Sequence, residues 1–419
     1  MNKKWLSLLF VLLFAGIATA GIILFGFPYD PVDPPQADDT GYTLEGIEAV
    51  SNANNQFAMD LYFQLSKENT ENLFYSPYSI STALAMTYEG ANGTTAEEIK
   101  DVFYFPEDDV LRPNSAAIYN IINKKDKSYE LITGNALWAQ KDSVFLPEYF
   151  NLVEKYYGGK AANLDFKNEN EKSIHTINDF ISKQTNKRIK DIIKQNTLSS
   201  DTNLVLTNAI YFKGNWRHKF NPKNTQNLDF KITPENTIKT PTMSMVLQIT
   251  TNYFENDLLQ ILELPYIDRE LSMFILLPKE DINSLEQVLS NDKFNEWKLN
   301  MDATDIKEIY LPKFGFETEY NLVGNLNNMG MPKAFSDSAD FSKMTGQKDL
   351  LVSNVIHKTF ISVDEIGTEA AAATAVSMSG ASQPEDYVIF NADHPFIFII
   401  QENQTNEILF LGRMVNPSS

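Results

Sequence analysis

Ile47, Val50, Phe57, Leu61 and Leu65 recur at three-to-four spacing or its multiples, which places them on one face of a helix. Ser76-Pro77 reads as an N-cap followed by Pro at the first helical position, and Ile80, Ala83, Leu84 and Thr87 carry that helix to a stop near Gly90. Thr94-Thr95-Ala96-Glu97 has the form of a capping box opening the next helix, and Ile174, Ile177 and Ile181 mark another amphipathic one. Beyond residue 200 the period shortens. Leu204–Leu206, Leu258–Leu264, Leu271–Leu277, Ile397–Ile400 and Ile408–Leu411 are short apolar runs bounded by turn residues, the signature of strands. Helices concentrated early and strands late, mixed and not alternating, predict an α+β architecture.

The ends of the chain differ from this pattern. Lys3 and Lys4 precede an uncharged run from Trp5 to Phe27, 23 residues and long enough to span a bilayer. Ala18-Thr19-Ala20 inside it is a small-residue cleavage site. Residues 1–27 are therefore expected to be a signal peptide or a membrane anchor. Either places the rest outside the cytoplasm, extracellular or at the cell surface. Residues 28–42 hold Pro31, Pro34 and Pro35 with Asp33, Asp38 and Asp39, which predicts a polyproline-like linker. No break or repeat divides residues 43–419, so one domain is expected there.

A formal charge of −20 disfavours nucleic acid and polyanions such as heparin as partners. The densest basic run, Lys187-Arg188-Ile189-Lys190 with Lys194, is expected to be the solvated side of a helix. Cysteine is absent, and the four His residues lack the spacing of a helical metal pair. No Gly-x-Ser-x-Gly elbow occurs, and no Gly-rich phosphate loop ending in Lys-Ser/Thr follows a strand. The residues give enzymatic chemistry no foothold, and no cofactor or metal is implied.

One segment conflicts with its own propensity. Ala370-Ala371-Ala372-Ala373 after Thr368-Glu369 favours a helix. Yet Ile361-Ser362-Val363 before it alternates like a strand, and Ser377 to Glu385 after it has loop chemistry. Tiny side chains between a strand and an exposed loop make few packing demands, so the segment can join a sheet as an added strand. If Thr368 faces the interior, so do Ala370, Ala372 and Thr374, all small and uncharged, while Glu369 faces solvent.

These features lie among motifs that together resemble the serpin family from about residue 46 to Pro417. They include Asn72 to Ile80 (NLFYSPYSI), Thr207 to Trp216 (TNAIYFKGNW) and Leu262-Glu263-Leu264-Pro265-Tyr266. Leu311-Pro312-Lys313-Phe314, Asp393-His394-Pro395-Phe396 and Phe410-Leu411-Gly412-Arg413 follow in the family's order. The resemblance implies helices around a large, mostly antiparallel central sheet, with smaller sheets and an exposed reactive loop.

It also implies a monomeric suicide substrate of a serine protease. The protease acylates itself on the loop, and the cleaved loop inserts into the central sheet and traps it. Glu365, Gly367, Thr368, Glu369, Ala370, Ala371, Ala372, Ala373 and Thr374 match the hinge. Ser76, Ser79, Asn208 and His357 match a polar cluster under the point where the sheet opens, and Trp216 and Lys313 match the region where the loop begins to insert. The family's spacing from Glu365 lands the scissile bond on Ala381-Ser382, with Met378-Ser379 and Gly380-Ala381 as alternatives. Such a bond suits an elastase-like or subtilisin-like protease. No Lys or Arg lies between Glu365 and Tyr387 to suit a trypsin-like one. The other reading is a non-inhibitory surface or binding protein on the same scaffold.

Overall fold

A strand over Leu204–Asn215 and a parallel partner over Val352–Val363 pair at the centre of one sheet. The computed structural model describes residues 36–124, 126–246, 249–368 and 388–418. Its elements begin with α1 (Leu44–Glu68), β1 (Leu73–Tyr75), α2 (Pro77–Gly90), α3 (Gly93–Val102), α4 (Asp108–Ile122), β2 (Tyr129–Thr133) and β3 (Ala136–Gln140). Next come α5 (Pro147–Tyr157), β4 (Lys160–Leu164), α6 (Asn170–Gln184), β5 (Leu204–Asn215), β6 (Gln226–Thr233) and β7 (Asn236–Met245). They continue with β8 (Ile249–Glu255), β9 (Leu259–Pro265), β10 (Leu271–Pro278), α7 (Ile282–Glu286) and α8 (Asn291–Leu299). The chain proceeds through β11 (Asp302–Pro312), β12 (Phe314–Asn321), α9 (Val323–Met329), α10 (Ser342–Thr345) and β13 (Val352–Val363). Last are β14 (Gly367–Thr368), β15 (Val388–Asn391), β16 (Phe396–Glu402) and β17 (Ile408–Met414).

Helix starts follow local chemistry. Thr43 caps α1 by accepting the Gly46 N–H at 2.9 Å, and Ser76 caps α2 by accepting the Ser79 N–H at 3.2 Å. The expected capping box at Thr94 does not form. α3 begins at Gly93, with Asn92 at the cap position two residues before Thr94, and Thr94 falls inside the first turn. A tertiary bond sets this entry, since the Asn92 N–H donates to the Asp340 carbonyl at 2.8 Å while the buried Thr95 hydroxyl accepts the Asp340 N–H at 3.0 Å.

The central sheet runs β12-β13-β14-β5-β3-β4, with β2 also paired to β5. A larger sheet runs β1-β17-β16-β10-β9-β8-β11-β7-β6, with β15 parallel to β11. β5 is covered on both faces, which is why its sequence is nearly continuous in apolar residues. Inward, Leu204 and Leu206 meet the helical core, while Ile210 and Phe212 meet the larger sheet. Outward, Val205 and Ala209 pack under Ile177 and Ile181 of α6. The polar-alternating strands β6, β7 and β11 carry exposed outer faces and escape a reading based on apolar runs.

The basic run at Lys187 is not helical. α6 ends at Gln184, Asn186 and Lys187 adopt positive φ, and the chain returns across the sheet as an irregular segment. Ile189, Ile192 and Ile193 anchor it there while its charged side chains remain exposed.

Of residues 36–42, expected to be free linker, Ala37 to Asp39 are docked, while Thr40, Gly41 and Tyr42 stay exposed. Ala37 is 4% exposed; its N–H donates to Asn120 Oδ1 at 2.9 Å, and Asn120 Nδ2 returns a bond to the Ala37 carbonyl at 2.9 Å. Asp38 donates its N–H to the Lys155 carbonyl at 2.7 Å, and the two side chains pair. The remainder of the expected linker and the whole of residues 1–27 lie outside the described residues. Among the described residues no helix is long and apolar enough to cross a membrane.

Asn120→Ala removes the two bonds to Ala37 and a third from Nδ2 to Asp39 Oδ2 at 3.0 Å, and should lower stability by roughly 1–3 kcal/mol. Denaturant midpoints of the variant and of the parent check this.

Candidate functional site

β5 and β13 are parallel neighbours. Their ladder runs from Leu204 opposite Val352 to Ile210 opposite Thr359. Beyond it β14 lies between them, antiparallel to both, with Thr368 opposite Val363 on one side and Gly214 on the other. The turn that brings the chain back is held by Asp364. Its N–H donates to the Gly367 carbonyl at 2.9 Å, and its Oδ1 accepts the Ile366 N–H at 2.8 Å.

Gly367 is required by a close approach: a Cβ there would lie 1.9 Å from the Gly214 carbonyl oxygen. Thr368 is 1% exposed, and its hydroxyl bonds the Tyr266 hydroxyl at 2.7 Å. The side chain therefore points into the interior.

Trp216, Lys313 and Glu365 converge where β14 leaves the turn. The Trp216 indole N–H donates to the Asp364 carbonyl at 2.9 Å, its backbone N–H donates to the Ile366 carbonyl at 2.8 Å, and its ring stacks on Tyr266 at 4.7 Å. Lys313 Nζ lies 2.7 Å from Glu365 Oε2, and the Thr225 hydroxyl donates to Oε1 at 2.6 Å. The Glu365 side chain is only 9% exposed, so the pair is not a surface ion pair of negligible worth. Burial pushes the Glu365 carboxyl up, but the bonds from Lys313 and Thr225 outweigh it and hold the group below its ordinary range.

Further along the same seam sits a fully buried polar cluster. His357 on β13 faces Asn208 on β5 in register. His357 Nε2 accepts the Ser76 backbone N–H at 3.0 Å, so the ring is neutral with its proton on Nδ1, which bonds Asn208 Oδ1. Asn208 Nδ2 donates to the Ser79 hydroxyl at 2.6 Å and to Asn135 Oδ1 at 2.5 Å, while the Ser76 hydroxyl donates to the Leu409 carbonyl at 2.6 Å. Five chain segments are thus tied through one network whose members are satisfied by one another.

Asn135 was not foreseen, because Gly134-Asn135 between two apolar runs reads as a turn. Thr225 and Tyr266 had no distinguishing local signal. Of the matched hinge residues, Glu365, Gly367 and Thr368 are described. Glu369, Ala370, Ala371, Ala372, Ala373 and Thr374, together with Ala381 and Ser382, lie outside the described residues.

Comparison with known proteins agrees with this geometry. The family model described as Serpin (serine protease inhibitor) matches residues 52–417. An uncharacterized serpin-like protein of Thermococcus kodakarensis is 44% identical over 379 residues, covering 89% of this chain and 87% of that protein. The leukocyte elastase inhibitor of Xenopus laevis is 41% identical over 381 residues, covering 88% of this chain and 100% of that one. Human thyroxine-binding globulin complexed with thyroxine shares the fold with a TM-score of 0.81 at 30% identity, covering 89% of this chain and 99% of that one. The chain belongs to the serpin family. Its fold is the serpin fold of helices, a central sheet and a large curled antiparallel sheet.

Burial pushes the His357 pKa down from 6.5 to about 3. Below pH 6.5 the unfolded chain takes up a proton that the folded chain refuses. Stability from this group is thus complete above 6.5 and falls with pH toward about 3, by at most about 1.4 kcal/mol per pH unit. His357→Asn should flatten that part of the profile relative to the parent, read as denaturant midpoints from pH 7 to 3.5.

Proposed function

We propose that this serpin inhibits a serine protease as a suicide substrate and is not itself a catalyst. The observation that carries the reading is β14. Two residues of the hinge already stand as a strand between β5 and β13, with Thr368 facing inward. Continuing that strand would bring Ala370, Ala372 and Thr374 to the same face, and none has size or charge to resist burial.

Cleavage of the loop would free its N-terminal part to extend β14 along the seam, carrying the acylated protease with it. Net hydrogen bonds of roughly 1 kcal/mol each and burial at about 25 cal/mol per Å² sum to a release on the order of 10 kcal/mol over a strand of this length. Ala381-Ser382 is the proposed scissile bond, and an elastase-like or subtilisin-like enzyme is the proposed target. Export through residues 1–27 is part of the same proposal.

The rival is a binding protein on the same scaffold, a reading favoured by the likeness to a thyroxine-binding globulin.

Incubation with elastase and subtilisin should give a complex that survives denaturing electrophoresis, with a released C-terminal peptide beginning at Ser382 by mass spectrometry. Cleavage without any adduct across a broad panel would favour the binding protein. A peptide beginning at Ser379 or Ala381 would move the bond and leave the mechanism intact.

Ala372→Arg should convert the inhibitor into a substrate. In the inserted strand its unpaired guanidinium would face the interior at a cost of about 3–5 kcal/mol, so insertion slows while acylation at the loop tip is unchanged. Stoichiometry should rise well above one inhibitor per protease, and cleavage should raise the melting temperature less than in the parent. One-to-one trapping by the variant would sink the inward-facing register of the hinge.

A further inference from the structure

Tyr266 follows the end of β9, and its ring is held on three sides. It stacks on Trp216 at 4.7 Å, meets Phe212 edge-on at 5.2 Å, and lies so close to Gly214 that a Cβ there would come within 2.7 Å of its Cδ1. Its backbone is tied as well: the N–H donates to the Leu271 carbonyl at 3.0 Å, and the carbonyl accepts the Arg269 N–H at 3.1 Å. Tyr266 is buried, so its hydroxyl occupies a fixed position shielded from solvent. Among the described residues that hydroxyl has one partner, the Thr368 hydroxyl at 2.7 Å.

We propose that Tyr266 is the positioning residue that keeps the hinge seated at the head of the seam. A buried tyrosine hydroxyl needs a hydrogen-bond partner. With β14 in place that partner is Thr368. With β14 withdrawn, Trp216, Phe212 and Gly214 still hold the ring, and its hydroxyl is left unpaired, whereas Thr368 gains water. The cost of withdrawal therefore falls on Tyr266. β14 has few other ties: Thr368 lies opposite Val363 and Gly214, and Gly367 lies opposite Asn215. The bonds from Trp216 and Asp364 hold the turn before it. For a strand of two residues, one buried side-chain bond is a large share of what keeps it in the sheet.

The consequence for inhibition rests on the suicide-substrate reading, whereas the seating of β14 does not. A seated hinge gives insertion its first strand residues before the loop is cut.

The test is hydrogen exchange of the full-length protein without protease, read by mass spectrometry on peptides spanning residues 364–368. Tyr266→Phe keeps the ring and removes the hydroxyl. Exchange there should rise about fivefold, the worth of one net hydrogen bond, while peptides from α1 and β16 exchange as in the parent. Thr368→Val should raise it similarly from the other side. Removing both partners at nearly constant shape leaves nothing unpaired, so exchange in the double variant should fall back toward the parent's. No rise in Tyr266→Phe, or single effects that multiply in the double variant, would make Tyr266 a packing residue only. With elastase or subtilisin, Tyr266→Phe should consume more inhibitor per protease than the parent. The expected exchange pattern in a parent that forms no covalent adduct would uphold the seating and count against the inhibitory reading. An unchanged stoichiometry in Tyr266→Phe, beside a parent that traps protease, would overturn the part of Tyr266 in inhibition.

Discussion

The parallel contact between β5 and β13 is the constraint on which the molecule is organised. Parallel neighbours usually need both faces covered, and here α6 with its returning segment covers one face while the helical core and the larger sheet cover the other. Yet this is also the contact that admits β14 at one end. A seam buried on both faces needs every polar group along it satisfied within the protein.

That requirement explains the position of the polar groups. His357 and Asn208 face each other across the ladder, and α2 points its N-terminus at them through Ser76 and Ser79. An apolar substitute of similar volume would pack as well, but it would not fix one register between two strands and three neighbouring segments. At the other end Trp216, Tyr266 and the Lys313–Glu365 pair enclose the turn after β13. One set of directional bonds thus lies within the ladder and the other at the turn where β14 begins.

Much of this was legible in the sequence. Apolar period and turn chemistry located α1, α2, α6, β9, β10, β16 and β17 near their true limits, since each buries a continuous stripe, but caught only the first three residues of β5, Leu204–Asn215. β6, β7 and β11 were not legible, because strands with solvent on one face look like polar loops. Thr94-Thr95 misled for a different reason: the helix enters at Asn92, whose N–H is tied to the Asp340 carbonyl far along the chain, so Thr94 lies inside the first turn. Ser76, Ser79, Asn208 and His357, which the family motifs match, lie in one hydrogen-bonded cluster. The motifs did not reveal Asn135 or Thr225, whose roles exist only once distant segments meet. Nor could composition show that residues 37–39 dock, since the Pro and Asp content around them resembles that of a free linker.

Gly367 and Gly214 meet backbone to backbone, with no side chain between them. In the language of zippers, the slider is already seated on the first teeth. The turn back from Val363 to Thr368 is short, so seating β14 closes little loop and costs little entropy. Under the proposed mechanism any further pairing along the seam would be propagation from this strand and not initiation.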